Sequence, residues 1–197
     1  FSGGDGYNLS NIFIDGDNIH LNNIKFNILF NDIITNNNVI IKKVYGDWKL
    51  ESMNNFWEDH IFDNSLEEIQ ISRLSGKNST DSKIIVDVMD MISKYDHIDK
   101  IILIGCDKDY IPLIRYAISY NYIFEVFGLI KQTSPSIINA CTYYHDIDEY
   151  LEKINNNNYT KCEKVKDELE DMMDYETVDQ IDIYNDELIP NILNNFI

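Results

Sequence analysis

The sequence predicts an α/β protein of three layers, an α/β/α arrangement in which helices cover both faces of a mostly parallel central sheet. Short apolar runs alternate along the chain with amphipathic stretches, and this order is typical of βαβ units. The run from Ile101 to Gly105 is apolar at nearly every position, as in a strand that is buried on both faces. With 197 residues, 44% of them hydrophobic, the chain can build one full core and an appendage.

In the first half of the chain, the apolar pattern predicts strands and helices in alternation. The strands are Asn11–Asp15, Val39–Val44 and Glu68–Leu74, and the alternation in the last of them favours a position nearer an edge. The helices are Asn18–Phe30 and Ser82–Lys94, where apolar residues recur every three or four positions. The second helix has the clearer apolar face.

The second half continues the same pattern. The strand Ile101–Gly105 is followed by a helix at Ile111–Ser119 and a strand at Tyr122–Gly128. A short helix at Ser136–Cys141 and an edge strand at Tyr144–Ile147 come next. Because parallel strands end at the same edge of a sheet, we expect the functional crevice at their carboxyl ends.

The domain organisation and the charge go together. We predict a lead-in over residues 1–10, one domain over residues 11–152, an Asn-rich linker over 153–160 and an acidic helical segment or tail over 161–197. The formal net charge of −18 counts against a nucleic-acid partner, because phosphate binding depends on Lys and Arg. The tail carries a disproportionate share of the acids, however, and a site that binds divalent cations is less negative once it is loaded. The net charge is therefore weak evidence against RNA.

Several classes of protein are disfavoured. No apolar run approaches the roughly 18 residues of a membrane span, and the start lacks a charged-then-apolar signal pattern. The cysteines Cys106, Cys141 and Cys162 are odd in number and form no C-x-x-C pair, which argues against a disulfide framework or a Cys-rich zinc site. We expect a cytoplasmic protein in a reducing compartment.

Carboxylates fall where predicted strands end or a predicted helix begins. Asp15 follows the first strand, Asp107 and Asp109 follow the central strand, and Asp81 lies at the start of a helix. Clustered carboxylates repel one another and are tolerated mainly where a cation neutralises them. Oxygen ligands without His or Cys suit Mg²⁺ or Mn²⁺ rather than zinc, and such a metal can activate water against a phosphodiester. The pattern indicates hydrolytic chemistry at the crevice.

Each acid alone also has a structural explanation. Asp15 is compatible with an Asx turn through Gly16, and Asp81 with a first-turn carboxylate that the helix dipole favours. The coincidence of these acids at one crevice favours the metal site. Asp87 and Asp90 lie away from the apolar face of their helix, so we expect them to be solvated.

Four segments resemble the successive motifs of the NYN family, whose members are PIN-like nucleases, and the resemblance is closest to the bacterial LabA-like branch. It covers roughly Asn11 to Tyr150. Its most specific part is the string of acid, any residue, acid, aromatic, any residue, Pro, Leu that directly follows a buried strand. The segments are FIDGDNI at 13–19, GKNSTDSKIIVDVMDMI at 76–92, IDKIILIGCDKDYIPLI at 98–114 and SPSIINAC at 134–141.

The resemblance implies a PIN-like, Rossmann-like fold and a metal-dependent ribonuclease. It implies that RNA is the substrate and that Asp15, Asp81, Asp107 and Asp109 are both metal ligands and catalytic residues. Residues near the crevice are predicted to bind the substrate, and they are Asn18, Lys77, Asn78, Thr80, Lys108, Lys131 and Ser134.

The sequence departs from the family pattern at two positions and leaves other functions open. Lys108 stands between two acids where a small Ser or Asn is usual, and Thr142 stands where an Asp is usual. A non-catalytic RNA-binding or scaffolding module is one alternative. A haloacid-dehalogenase-like phosphatase is another, since Asp15-Gly16-Asp17 mimics its nucleophile motif, although Asn18 replaces the expected Thr or Val. No membrane partner is expected, and a homodimer or a further C-terminal domain after residue 197 is compatible with the sequence.

Overall fold

The structure is a computed structural model that describes residues 9–19, 21–72 and 79–157. The chain divides into two compact units, Phe1–Lys153 and Ile154–Ile197. The acidic tail predicted over 161–197 lies outside the described residues. Within the described part of the chain, no helix is long and apolar enough to cross a membrane.

The elements alternate between strand and helix, as the sequence predicts. The strands are β1 (Leu9–Asp15), β2 (Asn38–Gly46), β3 (Glu67–Gln70), β4 (Lys100–Ile104), β5 (Ile123–Gly128) and β6 (Tyr143–Asp146). The helices with complete bounds are α1 (Asn23–Thr35), α2 (Glu51–Asp63), α3 (Ser79–Lys94), α4 (Ile111–Ser119) and α5 (Pro135–Ala140). Residues 147–157, at the end of the described chain, are also helical.

The strands form one six-stranded sheet in the order β3-β2-β1-β4-β5-β6. Every neighbouring pair in it is parallel. The predicted α/β class is confirmed, and both predicted edge strands lie at the edges. Since β1 and β4 are central neighbours, the residues that follow them meet at the carboxyl edge of the sheet.

Apolar side chains fill both faces of the sheet. On one face, Phe13 and Leu103 belong to a buried cluster that includes residues of α3, α4 and α5. Successive strand residues point to opposite faces, so Ile12 and Ile14 point to the other face, and both are fully buried. The buried residues of α1 are Phe26, Leu29, Phe30 and Ile33.

The first helix begins later than its apolar pattern suggests, at Asn23 rather than Asn18. Asn18 is instead used in the turn after β1, where its backbone N–H donates to the carbonyl of Asp15 at 3.2 Å. Asn22 caps the helix by accepting a hydrogen bond from the backbone N–H of Lys25 at 2.8 Å. Ile24, in the first turn of the helix, is 65% exposed.

Helix α2 was not predicted. Its apolar residues Met53, Phe56, Trp57 and Ile61 have helical spacing, but polar residues between them weaken the pattern. Trp57 is almost fully buried and packs edge-to-face on Phe26 of α1, with ring centroids 5.0 Å apart. This contact joins the helices that follow β1 and β2.

Candidate functional site

Acidic side chains gather at the carboxyl edge of the sheet. Asp15 is the last residue of β1, and Asp107 lies three residues after the end of β4. Asp81 lies in the first turn of α3, and Asp109 in the short 3-10 helix Lys108–Tyr110. The parallel pairing of β1 with β4 places Asp15 at the same edge of the sheet as Asp107 and Asp109, which are far from it in sequence.

Three of these acids form a compact group. One ligand oxygen from each of Asp81, Asp107 and Asp109 lies within 4.8 Å of the other two. Asp81 is buried and the other two are half-buried. Asp107 is held by the turn it starts, because its carboxylate accepts the backbone N–H of Asp109 at 3.0 Å. We call these three side chains the acid group.

Asp15 is fully buried and lies outside the acid group. Its Oδ2 accepts hydrogen bonds from Nδ2 of Asn18 and from the hydroxyl of Tyr110, both at 2.7 Å. Its Oδ1 has no hydrogen-bond partner in the described part of the chain. Burial, with further repulsion from Asp81 and Asp17, raises the pKa of Asp15 to about 7, although the hydrogen bonds from Asn18 and Tyr110 oppose the rise.

Asp81 resembles Asp15 in having one buried oxygen without a partner and a raised pKa. Its Oδ1 is buried without a partner among the described residues. Burial raises its pKa, and the negative charges of Asp107 and Asp109 raise it further, while the Tyr110 hydroxyl lowers it. In the described part of the chain, Asp15, Asp81 and Asp107 form no ion pair with Lys, Arg or His.

The donor set fits a hard divalent cation. The acid group offers carboxylate oxygens, the ligands such cations prefer. Oδ1 of Asp81, in the acid group, and Oδ1 of Asp15, outside it, are buried without a hydrogen-bond partner in the described part of the chain, which is costly unless a positive charge offsets it. A cation bound by the acid group would supply that charge.

Close packing positions the segment between Asp15 and Asp17. A Cβ on Gly16 would lie 2.8 Å from the carbonyl oxygen of Tyr45, so only glycine fits there. Asp17 accepts a hydrogen bond from the buried hydroxyl of Thr80 at 2.6 Å, which ties the segment to the start of α3. Thr80 was predicted to bind substrate, but its hydroxyl already donates a hydrogen bond within the protein.

A polar cleft of about 410 Å³ adjoins the acid group and shares Asp107 with it. Asn18, Lys108, Lys131 and Ser134, all predicted to bind substrate, line this cleft. The remaining lining residues were not predicted, and they are Cys106, Gln132 and Thr133. Burial and the nearby Asp15 and Asp107 raise the pKa of the Cys106 thiol to about 11, so this cysteine remains protonated at neutral pH.

The other predicted residues are placed differently. Lys77 and Asn78 lie outside the described residues. The prediction that Asp87 is solvated is wrong, because it accepts a hydrogen bond from the Tyr45 hydroxyl at 2.9 Å and pairs with Lys83, which leaves its side chain 15% exposed. Asp90 is exposed, as predicted, and pairs with Lys94 on the same helix.

The sequence did not predict that Tyr110 contacts the buried acids. Tyr110 is fully buried, and its hydroxyl hydrogen-bonds to Asp15, while the same hydroxyl also lowers the pKa of Asp81. The aromatic position beside Asp109 was visible in the motif, but nothing in the local pattern shows which acid its hydroxyl contacts.

Comparisons with known proteins agree with this architecture. The family model described as NYN domain matches residues 10–148. A solved structure of a protein of unknown function from Vibrio parahaemolyticus is similar, with a TM-score of 0.59 and 20% sequence identity. The similarity covers 74% of this chain and 96% of that chain, and at this identity it shows the fold alone. No match was found among curated proteins.

Proposed function

This chain belongs to the NYN domain family, which is typically a family of PIN-like nucleases, and we propose that it is a metal-dependent ribonuclease that hydrolyses RNA phosphodiester bonds. The observation that carries the proposal is the acid group, in which oxygens of Asp81, Asp107 and Asp109 lie within 4.8 Å of one another. The motif resemblance further favours the LabA-like branch. A cytoplasmic location, a homodimer and a further C-terminal domain remain predictions.

We assign the cation, Mg²⁺ or Mn²⁺, to the acid group. A bound divalent cation supplies two things there, a lower pKa for water and compensation of the negative charge that develops on the phosphate. The protein holds the ligand oxygens in place through the Asp107 turn and the first turn of α3. Asp15 lies outside this set, and its Oδ1 has no hydrogen-bond partner in the described part of the chain, so its role as a direct ligand remains a prediction.

The RNA strand is proposed to run from the acid group into the cleft. Lys108 and Lys131 bring positive charge to the cleft, and Asn18 and Ser134 add polar groups. Cations beside a negative metal site attract the phosphate backbone that the acids alone would repel. Lys77 and Asn78 remain proposed substrate contacts, and they lie outside the described residues.

The geometry disfavours the phosphatase alternative. In that mechanism Asp15 would attack phosphorus as a nucleophile, which requires an accessible oxygen. Asp15 is fully buried, and its Oδ2 already accepts hydrogen bonds from Asn18 and Tyr110. An RNA-binding module without turnover remains the competing function, because Lys108 places a positive charge between two acid-group residues.

The deciding experiment incubates labelled single-stranded RNA with the protein, with and without Mn²⁺. Wild type should cut only with Mn²⁺, and Asp107→Asn should lose cleavage by orders of magnitude, because a carboxylate ligand is lost. Asp90→Asn is the matched control. Asp90 is exposed, pairs with Lys94 on the same helix, and belongs to neither the acid group nor the cleft. RNA that is bound but uncut by wild type with Mn²⁺ would establish the binding module instead.

A further inference from the structure

The cations of the described chain divide sharply by whether they have a partner. Most form an ion pair or a hydrogen bond to a backbone carbonyl, and these are Lys25, Lys42, Lys43, Lys83, Lys94, Lys100 and Lys153. Lys49, Lys108, Arg115 and Lys131 form neither within the described residues. Two of those four, Lys108 and Lys131, line the same cleft. The cleft therefore concentrates the positive charge that the fold does not use.

The neutral groups of the cleft also have donors to spare. Oε1 of Gln132 accepts the Cys106 thiol at 3.8 Å, which leaves the Nε2 hydrogens of Gln132 for a ligand. Oγ of Ser134 accepts the backbone N–H of Ser136 at 3.3 Å, which leaves the hydroxyl hydrogen of Ser134. Thr133 is already engaged, since it donates to the carbonyl of Leu129 at 2.9 Å.

Acceptors in the cleft are scarcer. Nδ2 of Asn18 donates to Asp15, so Asn18 offers its amide oxygen, and Asp107 belongs to the acid group. As donors, the cleft offers two ammonium groups, an amide N–H₂ and a hydroxyl hydrogen. Several donors, two of them charged, are the chemistry that binds a phosphate.

Three of these donors lie on a different segment from the acid group. Lys131, Gln132 and Ser134 follow β5, whereas Asp81 lies on α3, and Asp107 and Asp109 follow β4, the strand beside β5. Lys108 lies between Asp107 and Asp109 in sequence and lines the same cleft as the three donors. We propose that the cleft holds a second phosphate of the RNA, beside the one being cut, through Lys108, Lys131, Gln132 and Ser134. This inference rests on the proposed function, because it takes RNA as the ligand.

The test measures binding of a fluorescein-labelled single-stranded RNA to the full chain by anisotropy, in EDTA, over a range of salt concentrations. Each neutralised phosphate of a single strand contributes about 0.7 to the slope of log affinity against log salt. The double variant Lys108→Ala/Lys131→Ala should reduce the magnitude of the slope by about 0.7, since the two lysines together hold a single phosphate. The double variant Lys49→Ala/Arg115→Ala removes the same charge outside the cleft and should leave the slope unchanged.

Two further arms identify the groups involved. Gln132→Leu keeps the size but removes the donor, so with Mn²⁺ it should raise KM for RNA and leave kcat unchanged. RNA with a 5′-phosphate and RNA with a 5′-hydroxyl distinguish a terminal phosphate from an internal one. If only the former loses affinity in the lysine variant, the site holds a chain end, and equal losses indicate an internal phosphodiester.

Equal slopes for the cleft variant and its control would overturn the inference, as would no measurable binding by wild type at low salt. A fall of about 1.4 in the magnitude of the salt slope of the cleft variant would also overturn the inference, because each lysine would then hold its own phosphate. These results differ from failure of the proposed function. If only the proposed function fails, RNA stays uncut with Mn²⁺ while the salt slope still depends on the cleft lysines.

Discussion

Two regions of the same sheet bury carboxylates, and they handle the charge in opposite ways. Glu125 of β5 has a side chain that is 12% exposed, and it pairs with Lys100 at 3.0 Å and with His145 at 2.7 Å. Burial alone would raise its pKa, but His145 and Lys100 outweigh burial and hold the pKa of Glu125 below its usual value. At the carboxyl edge, Asp15 and Asp81 have raised pKa values and no cationic partner among the described residues.

The difference is the one expected between an acid that stabilises the fold and an acid that binds a metal. A buried carboxylate is tolerated when a cation and hydrogen bonds compensate it. Glu125 obtains a cation, Lys100, and a hydrogen bond with His145 from the protein, which is the arrangement expected of an acid that stabilises the fold. Asp15, Asp81 and Asp107 form no ion pair within the described residues, which is the state expected of a site that takes its cation from solution.

The largest effect should be on cleavage. Asp81→Asn removes a carboxylate from the acid group and should lower Mn²⁺-dependent RNA cleavage by orders of magnitude. Glu125→Gln should keep cleavage within a fewfold of wild type, because Glu125 lies outside the acid group. The check is a single-turnover rate at a temperature where both variants are folded. Similar losses in the two variants would remove the distinction between the regions.

The next effect concerns stability without metal. Lys100→Met leaves Glu125 without its lysine partner, and we expect a loss of roughly 2–3 kcal/mol, somewhat below the cost of breaking a fully buried pair. Asp81→Asn should be neutral or stabilising, because it relieves repulsion with Asp107 and Asp109. Urea unfolding in EDTA measures both. A large destabilisation by Asp81→Asn would mean that Asp81 already has a compensating partner.

Metal should stabilise only through the acid group. Mn²⁺ at one hundred times its dissociation constant should raise the free energy of unfolding by about 2.7 kcal/mol, because it binds the folded state. Asp81→Asn should lose most of this gain, whereas Glu125→Gln should retain it. Thermal unfolding with and without Mn²⁺ checks the prediction, and an equal gain in both variants would place the metal elsewhere.

The smallest and most graded effect is the pH dependence without metal. With a pKa of about 7, folded Asp15 holds a proton that the unfolded chain releases above about pH 4. Stability should therefore fall as pH rises from about 4 to about 7, and Asp15→Asn should flatten this slope. Glu125 acts in the opposite sense, since its lowered pKa contributes stability that is lost as pH falls below about 4. An unchanged slope in Asp15→Asn would contradict the assignment.

Part of the fold was readable from local pattern. Buried strands such as β1 and β4 are runs of apolar residues, and α3 has apolar residues at helical spacing. These elements can therefore be recognised without knowledge of the rest of the chain. The start of α1 was predicted too early, because the turn that uses Asn18 depends on its hydrogen bond to Asp15. Helix α2 was missed because polar residues dilute its spacing.

The sequence by itself determined that acids follow β1 and β4 and begin α3, and the parallel-sheet rule placed them at one edge, because the position of a residue at the end of an element is a local property. Only the tertiary structure decided which of these acids lie within ligand distance of one another, and which of them obtain a partner from the protein. Tyr110 reaches Asp15 across 95 positions, and Tyr45 reaches Asp87 across 42. Such contacts depend on how the strands are ordered and the helices packed, which brings distant side chains to hydrogen-bond distance and leaves no mark in the local sequence.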